Sequence, residues 1–423
     1  MRRHRRKVYL VIAVITALSI VLPCSAIAAR VGASEITSHG AVVLDFETGI
    51  VLYGHNENVQ RVPASMIKIV AVFVAYDAIS ARRINIDTVA SITPATREFS
   101  FDRRYSNIPL PEDMDVTIRQ LLEFSLVRSA CAATVALGEA LFGSEEALIT
   151  RMNEKAAQLG VSAKFFDCWG GSPDNRISPR GMAEMSRALI RDYPEVLRIA
   201  AMKSVTFNDI TYANSNLLLG QYAGADGLKT GFTSPAGFCF IGTAVRGGRR
   251  IVAVSMGSSS MQTRDSDTTA LLDYGFAYLS ERVLPSGANL VLDGKTMPLS
   301  AYNIDGYHYF KLRDIAMLLS ATNKQFEVDW YEREQMIGLT SGHGYTPVGG
   351  ELEIASDVFR RFVPTASKVF FNSEFRELNA YNIEGYNFFR LREIAVLLDF
   401  SVVWIEESRT VIINTSAGYD PAA

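Results

Sequence analysis

Cysteine and histidine are scarce in this sequence and basic residues hold no majority; each shortage removes a class of function. The 423 residues include four cysteines, Cys24, Cys131, Cys168 and Cys239. Cys24 lies in an N-terminal segment with the marks of an export signal, and the other three are an odd number. No complete disulfide framework follows, and at least one thiol is free or intermolecular. The five histidines, His4, His39, His55, His308 and His343, stand neither beside a candidate nucleophile nor at metal-ligand spacing. That argues against a Ser-His-Asp triad and against a zinc site, and it favours a lysine-based mechanism. Lysine and arginine total 42 against 45 acidic residues, which argues against nucleic acid as a partner. No cofactor or metal is implied.

What is present suits two or three soluble domains, with 48% hydrophobic and 21% charged residues. The opening is different. Arg2, Arg3, Arg5, Arg6 and Lys7 precede the apolar run Val8 to Leu22 and then Ala26-Ile27-Ala28, the layout of a secretory signal peptide over residues 1–28. An uncleaved membrane anchor is the rival reading, because about 15 apolar residues fall only slightly short of a span. A lipid-modified Cys24 is disfavoured by its neighbour Pro23. Loss of five basic residues with the signal takes the net charge from −3 to about −8, further from nucleic-acid binding.

Pro63-Ala64-Ser65-Met66-Ile67-Lys68 heads a run without Gly or Pro that reaches Ile79, so a buried helix is predicted from near Ser65. Positions i and i+3 share a helix face, which puts the Lys68 amine beside the Ser65 hydroxyl. A lysine desolvated among Ile, Val and Phe can take the proton of a serine, and a helix N-terminus places N–H groups near the reacting oxygen. The plainer alternative is an N-cap serine with a snorkelling lysine.

Before this run, Gly40 to Tyr53 reads as a hairpin with Glu47-Thr48-Gly49 at its tip. After it come a polar loop around Thr96 to Asn107 and a helix from Val116 to Val127. Ser129-Ala130-Cys131 interrupts the pattern, and helices follow over Ala132–Phe142, Glu145–Leu159 and Ser178–Tyr193. Two strands, Gly237–Ala244 and Arg250–Met256, are predicted next, with Lys229 and Thr230 just before or on the first, then a helix from Thr268 to Leu279. The remainder is duplicated: Ala301-Tyr-Asn-Ile-Asp-Gly-Tyr to Leu319 recurs as Ala380-Tyr-Asn-Ile-Glu-Gly-Tyr to Leu398. Each copy ends in a strand pair around a tryptophan, Trp330 or Trp404. Neither copy assembles a nucleophile, base or ligand cluster, so both read as binding or spacer modules. The expected division is a catalytic domain over 29–284, repeats over 285–342 and 367–416, and a linker over 343–366.

Ser65-x-x-Lys68, Ser129-x-Cys131 and Lys229-Thr230-Gly231 together resemble the signatures of the serine penicillin-recognising enzymes. Within that group the chain looks most like the secreted D-alanyl-D-alanine carboxypeptidases of peptidase family S11. The supporting context is Asp45-x-x-Thr48-Gly49-x-x-Leu52-Tyr53, Pro63 to Lys68, Val135-Ala136-Leu137 and Gly227 to Gly237, within residues 36–280. The repeats look like the stalk-type modules appended to exported bacterial cell-wall proteins. The resemblance implies an α+β fold, with an antiparallel sheet flanked by helices and an all-helical lobe, followed by two small α+β repeats. It implies a bacterial, extracytoplasmic enzyme acting on D-Ala-D-Ala of the peptidoglycan stem peptide and acylated by β-lactams, with wall contact through the repeats. Ser65 is then the nucleophile, Lys68 its base and Ser129 a proton relay. Lys229 and Thr230 hold the terminal carboxylate, Gly231 and Cys131 border the substrate, and the backbone N–H groups of Ser65 and Phe232 form the oxyanion hole.

Two departures stand out. The family usually has Asn where this chain has Cys131, and a thiol donates and accepts more weakly than an amide; an altered rate or preference is expected, the alternative being a small buried hydrophobe. Asp167, in Phe166-Asp167-Cys168-Trp169-Gly170, also stands where Asn is usual. Two rival functions remain. A β-lactamase-like hydrolase would need a deacylating base, and no Glu-x-x-x-Asn loop lies between the second and third motifs. A non-catalytic envelope-binding protein would instead carry its function in the repeats.

Overall fold

The computed structural model describes residues 36–365 and 367–422; the expected signal segment, 1–28, lies outside them. Five strands form an antiparallel sheet in the order Val51–His55, Gly40–Asp45, Arg249–Ser258, Gly237–Arg246, Ala225–Thr233. Strict alternation along these strands serves two cores. Val42, Leu44, Ile241, Val252 and Val254 face the helical lobe, whereas Ala41, Val43, Phe240, Ile251 and Ala253 face the helix Met261–Ser280.

Of the two positions expected for Lys229 and Thr230, just before the strand Gly237–Arg246 or on it, the first holds, but they stand on a further strand, Ala225–Thr233. They form the sheet's own edge. Gly224, Gly227 and Gly231 hide the apolar alternation there and give the segment the look of a turn.

The helix Lys68–Arg82 is buried all round from Lys68 to Tyr76. Ala64–Arg82 is long and apolar enough to cross a membrane, but 72% of its most apolar window is buried inside the protein, which marks a core helix. Its Phe73 is fully covered, and truncation there would cost about 3–5 kcal/mol. Around it pack Ile118–Glu123, started by a Thr117–Gln120 capping box, and Cys131–Phe142. Glu145–Gln158 and Pro179–Asp192 complete the lobe, their first turns capped by Ser144 and Ser178. Pro94–Ser100 is helical rather than loop. Cys131, Cys168 and Cys239 are all free and buried.

The duplicated region does not form two separate modules. At its centre the strands Tyr307–Lys311 and Tyr386–Arg390 pair antiparallel with Phe310 opposite Phe389, its own counterpart in the other copy. The outer hairpins are exchanged. Asn289–Leu292 of the first copy runs parallel to Thr410–Asn414 of the second, and Lys368–Phe371 of the second runs parallel to Met336–Ser341 of the first. One hydrophobic core serves both copies. Residues 343–366 are therefore more than a linker: Arg360–Pro364 is a strand between Arg282–Val283 and Ala380–Ile383, and Tyr345 is buried in the shared core.

Candidate active site

Ser65 sits in a 3-10 turn, Ala64–Ile67, that runs directly into the helix beginning at Lys68. Ala64 holds φ +50°, a left-handed conformation that costs an L-residue roughly 1–2 kcal/mol and persists because the surroundings enforce it. The Lys68 ammonium donates to Ser65 Oγ at 2.8 Å and to the Trp169 carbonyl at 2.6 Å, and stands 3.6 Å from Cys131 Sγ. Lys68 is fully buried and Ser65 half-buried. An uncharged amine fits the same three contacts, giving hydrogens to Trp169 and Cys131 and turning its lone pair to the Ser65 hydroxyl, the arrangement a base needs.

The Trp169 carbonyl is held by Asp167. Its carboxylate accepts from the N–H groups of Trp169 (3.0 Å), Gly170 (2.5 Å) and Ser172, and from Asn175 Nδ2 at 3.4 Å. Gly170 has φ +94°, and a Cβ there would lie 2.2 Å from the Ala64 carbonyl oxygen and 2.7 Å from Ser65 N. Only glycine lets this loop lie against the Ser65 turn. Trp169 also closes an aromatic wall with Phe99 and Tyr105, ring centroids 5.1–5.6 Å apart.

From the other side comes the edge strand. A Cβ on Gly231 would lie 3.1 Å from Ser65 N, Met66 N and Pro63 O, so the strand rests against the Ser65 turn. Lys229 is buried and donates to its neighbour's carbonyl, Thr230 O, at 2.8 Å. Burial first, then the charge of Lys68 and less strongly that of Arg264, hold its ammonium well below the ordinary lysine range. Thr230 Oγ1 is 2.6 Å from Ser215 Oγ. Phe232 is exposed, its ring against Phe238 with centroids 4.3 Å apart.

A π-helical turn, Phe124–Arg128, ends at Ser129 with φ +64°, which delivers Cys131 to the start of its helix. The loop before it accepts from that helix: Cys131 N donates to Ser106 O and Ala132 N to Asn107 Oδ1, each at 2.9 Å. The structure thus joins Ser65, Lys68 and Cys131 directly and lays Gly231 beside them. Among the described residues it does not hydrogen-bond the Ser129 hydroxyl to Lys68 or Lys229. Sequence reasoning missed the Trp169 carbonyl, Ser215 and Arg264. The Gly170-Gly171 pair was the one available sign that the loop approaches another backbone.

A model of the peptidase S11 family, D-alanyl-D-alanine carboxypeptidase, matches residues 27–260. The chain belongs to this family. Among the family's curated members, the D-alanyl-D-alanine carboxypeptidase DacD of Escherichia coli is 35% identical over 248 residues, 57% of this chain and 63% of that one. The chain spans less than two thirds of the length of such relatives. Penicillin-binding protein D2 of Listeria monocytogenes, solved in a cefotaxime-bound form, is 30% identical with a TM-score of 0.51, over 56% of this chain and 97% of that one. A Streptomyces K15 DD-transpeptidase, solved in a cysteine-to-asparagine variant, is 26% identical with a TM-score of 0.53, over 57% and 98%. The sheet and helical lobe are accordingly the penicillin-binding, transpeptidase-like fold of the S11 family.

Proposed function

We propose that this S11 member is a serine D-alanyl-D-alanine carboxypeptidase of the bacterial cell envelope, exported by its N-terminal segment. The observation that carries the reading is the buried Lys68 amine 2.8 Å from Ser65 Oγ and anchored by the Trp169 carbonyl. Ser65 Oγ attacks the carbonyl of the D-Ala-D-Ala bond while its proton passes to Lys68 Nζ. The oxyanion is met by the N–H groups of Ser65 and Phe232. The tetrahedral intermediate collapses, the terminal D-Ala amine leaves with a proton relayed through Ser129, and water then hydrolyses the acyl-enzyme. Lys229 and Thr230 receive the α-carboxylate, with Cys131 bordering the substrate. A carboxylate arriving at Lys229 offsets the burial that depresses its charge, so substrate binding and Lys229 protonation reinforce one another. β-Lactams, which carry a strained amide and a carboxylate, acylate the same serine; the cefotaxime-bound relative supports this. The C-terminal repeats make contact with the wall.

Intact-mass spectrometry with and without penicillin, followed by peptide mapping, tests the proposal. A penicilloyl adduct on Ser65, absent from Ser65→Ala, is expected, with D-Ala released from a model pentapeptide. No adduct on the unaltered chain would overturn it in favour of a non-catalytic envelope protein. A second reading, transfer of the acyl group to an amine, is supported by the likeness to the K15 DD-transpeptidase. Adding an amine acceptor to the pentapeptide assay and weighing the products separates transfer from hydrolysis.

A further inference from the structure

The duplicated region encloses two cavities that the chemistry above does not use, of about 810 and 580 Å³. They are copies of one another. Tyr307, Arg390 and Trp404 line the larger, and the residues at the duplicated positions, Tyr386, Lys311 and Trp330, line the smaller. Each cavity takes its tyrosine from one repeat and its cation and tryptophan from the other, so neither repeat alone could form one. Packing explains why both copies keep the buried Phe310 and Phe389. It does not explain aromatic rings kept in solvent, with Tyr307 46% exposed, Tyr386 50% and Trp330 43%.

In both cavities the cation of one repeat lies over the ring of the other, Arg390 at 3.3 Å from the Tyr307 centroid and Lys311 at 4.7 Å from that of Tyr386. The Arg390 guanidinium has no hydrogen-bond acceptor among the described residues, and its Nε is shielded from solvent without a partner. Arg409 lies in the same cavity with the carboxylate Glu406, its guanidinium donating to the Ser286 carbonyl. A guanidinium fork with its donors unfilled matches a carboxylate, and the cavity volume suits a ligand of one or two rings. The smaller cavity is less available to an anion, because its Lys311 amine is already held by Asp314 at 3.2 Å and by the Gly350 carbonyl.

We propose that these are twin sites for an acidic saccharide, a sugar ring lying on the exposed aromatics with its carboxylate on the cation, the Arg390 site binding the more tightly. The choice of a sugar rests on the proposal that the repeats contact the wall. NMR titration of the full chain with N-acetylmuramic acid, and in parallel with neutral N-acetylglucosamine, tests it. Saturable shifts at both sites with the acidic sugar are expected, at least tenfold weaker at the Arg390 site in Arg390→Ala and partly restored in Arg390→Lys. Equal binding of the neutral sugar, no binding of either, or an unaffected Arg390→Ala would each overturn it. D-Ala release by the unaltered chain from a soluble peptide reports on the catalytic proposal separately, so failure of one leaves the other standing.

Discussion

Replacing Asp167 separates the loop that holds Lys68 from the lysine itself. In Asp167→Ala the N–H groups of Trp169, Gly170 and Ser172 lose the carboxylate that accepts from all three. Hydrogen bonds to a charged group contribute roughly 1.5–3 kcal/mol each, and water entering a half-buried loop recovers part, so a net loss of about 3 kcal/mol is expected. For a domain of this size that lowers Tm by about 6–12 °C. The Trp169 carbonyl then drifts from Lys68 Nζ, and loss of about 1.4–2.8 kcal/mol of alignment slows penicillin labelling roughly 10–100-fold. Asp167→Asn differs in a readable way. Its amide oxygen still accepts from Trp169 and Gly170, while its NH₂ meets the Ser172 N–H donor to donor, so one bond is lost and labelling stays within a few-fold. Stopped-flow acylation with a fluorescent penicillin and thermal scans on both variants supply the numbers. An alanine variant that labels within twofold of the unaltered chain would refute the role given to this loop.

Lys229→Met should abolish D-Ala release while raising Tm at neutral pH. The folded protein holds this amine below its ordinary value of 10.5, so the unfolded chain binds the proton more readily and folding bears a cost. That cost is complete below the folded value and disappears as pH rises toward 10.5; the Tm advantage of the variant should shrink in alkaline scans, and a constant gap would contradict the assignment. Cys131→Ala removes one weak sulfur contact to Lys68, and acylation is expected within about tenfold of the unaltered rate; complete loss would mean the thiol does more than fill space. Gly231→Ala forces the edge strand off the Ser65 turn by a few tenths of an ångström, and labelling should fall at least tenfold with little change in Tm.

The meeting of the Ser65 and Lys68 side chains was legible because it depends only on residue type at short spacing. Ser65 and Lys68, three apart in an apolar run, meet in space as the helical repeat requires. The acceptor that fixes Lys68 was invisible because any residue can offer the carbonyl that Trp169 supplies. Asp167 drew notice only as a departure, since its value comes from three backbone N–H groups that a loop brings round to it. That Lys229 and Thr230 lie on a strand of their own was not legible, because the glycines that let this strand approach Ser65 also erase its hydrophobic signature. The duplication was plain from matched residues. The exchange of hairpins was not, because similarity says which positions correspond and is silent on which copy each strand will pair with.

That exchange sets an order of events in biosynthesis. The strand beginning at Asn289 is finished early, yet Asn289 reaches its neighbour Ser408 only 119 residues later. At about 5–20 residues per second, roughly 6–24 s pass before that neighbour has been synthesised. During this interval the first repeat presents bare backbone edges that invite pairing with other chains. A nascent chain interrupted anywhere before Thr410–Asn414 would leave Asn289–Leu292 with its own hairpin but without its parallel neighbour, so the codons of that late strand govern whether material translated long before them becomes stable.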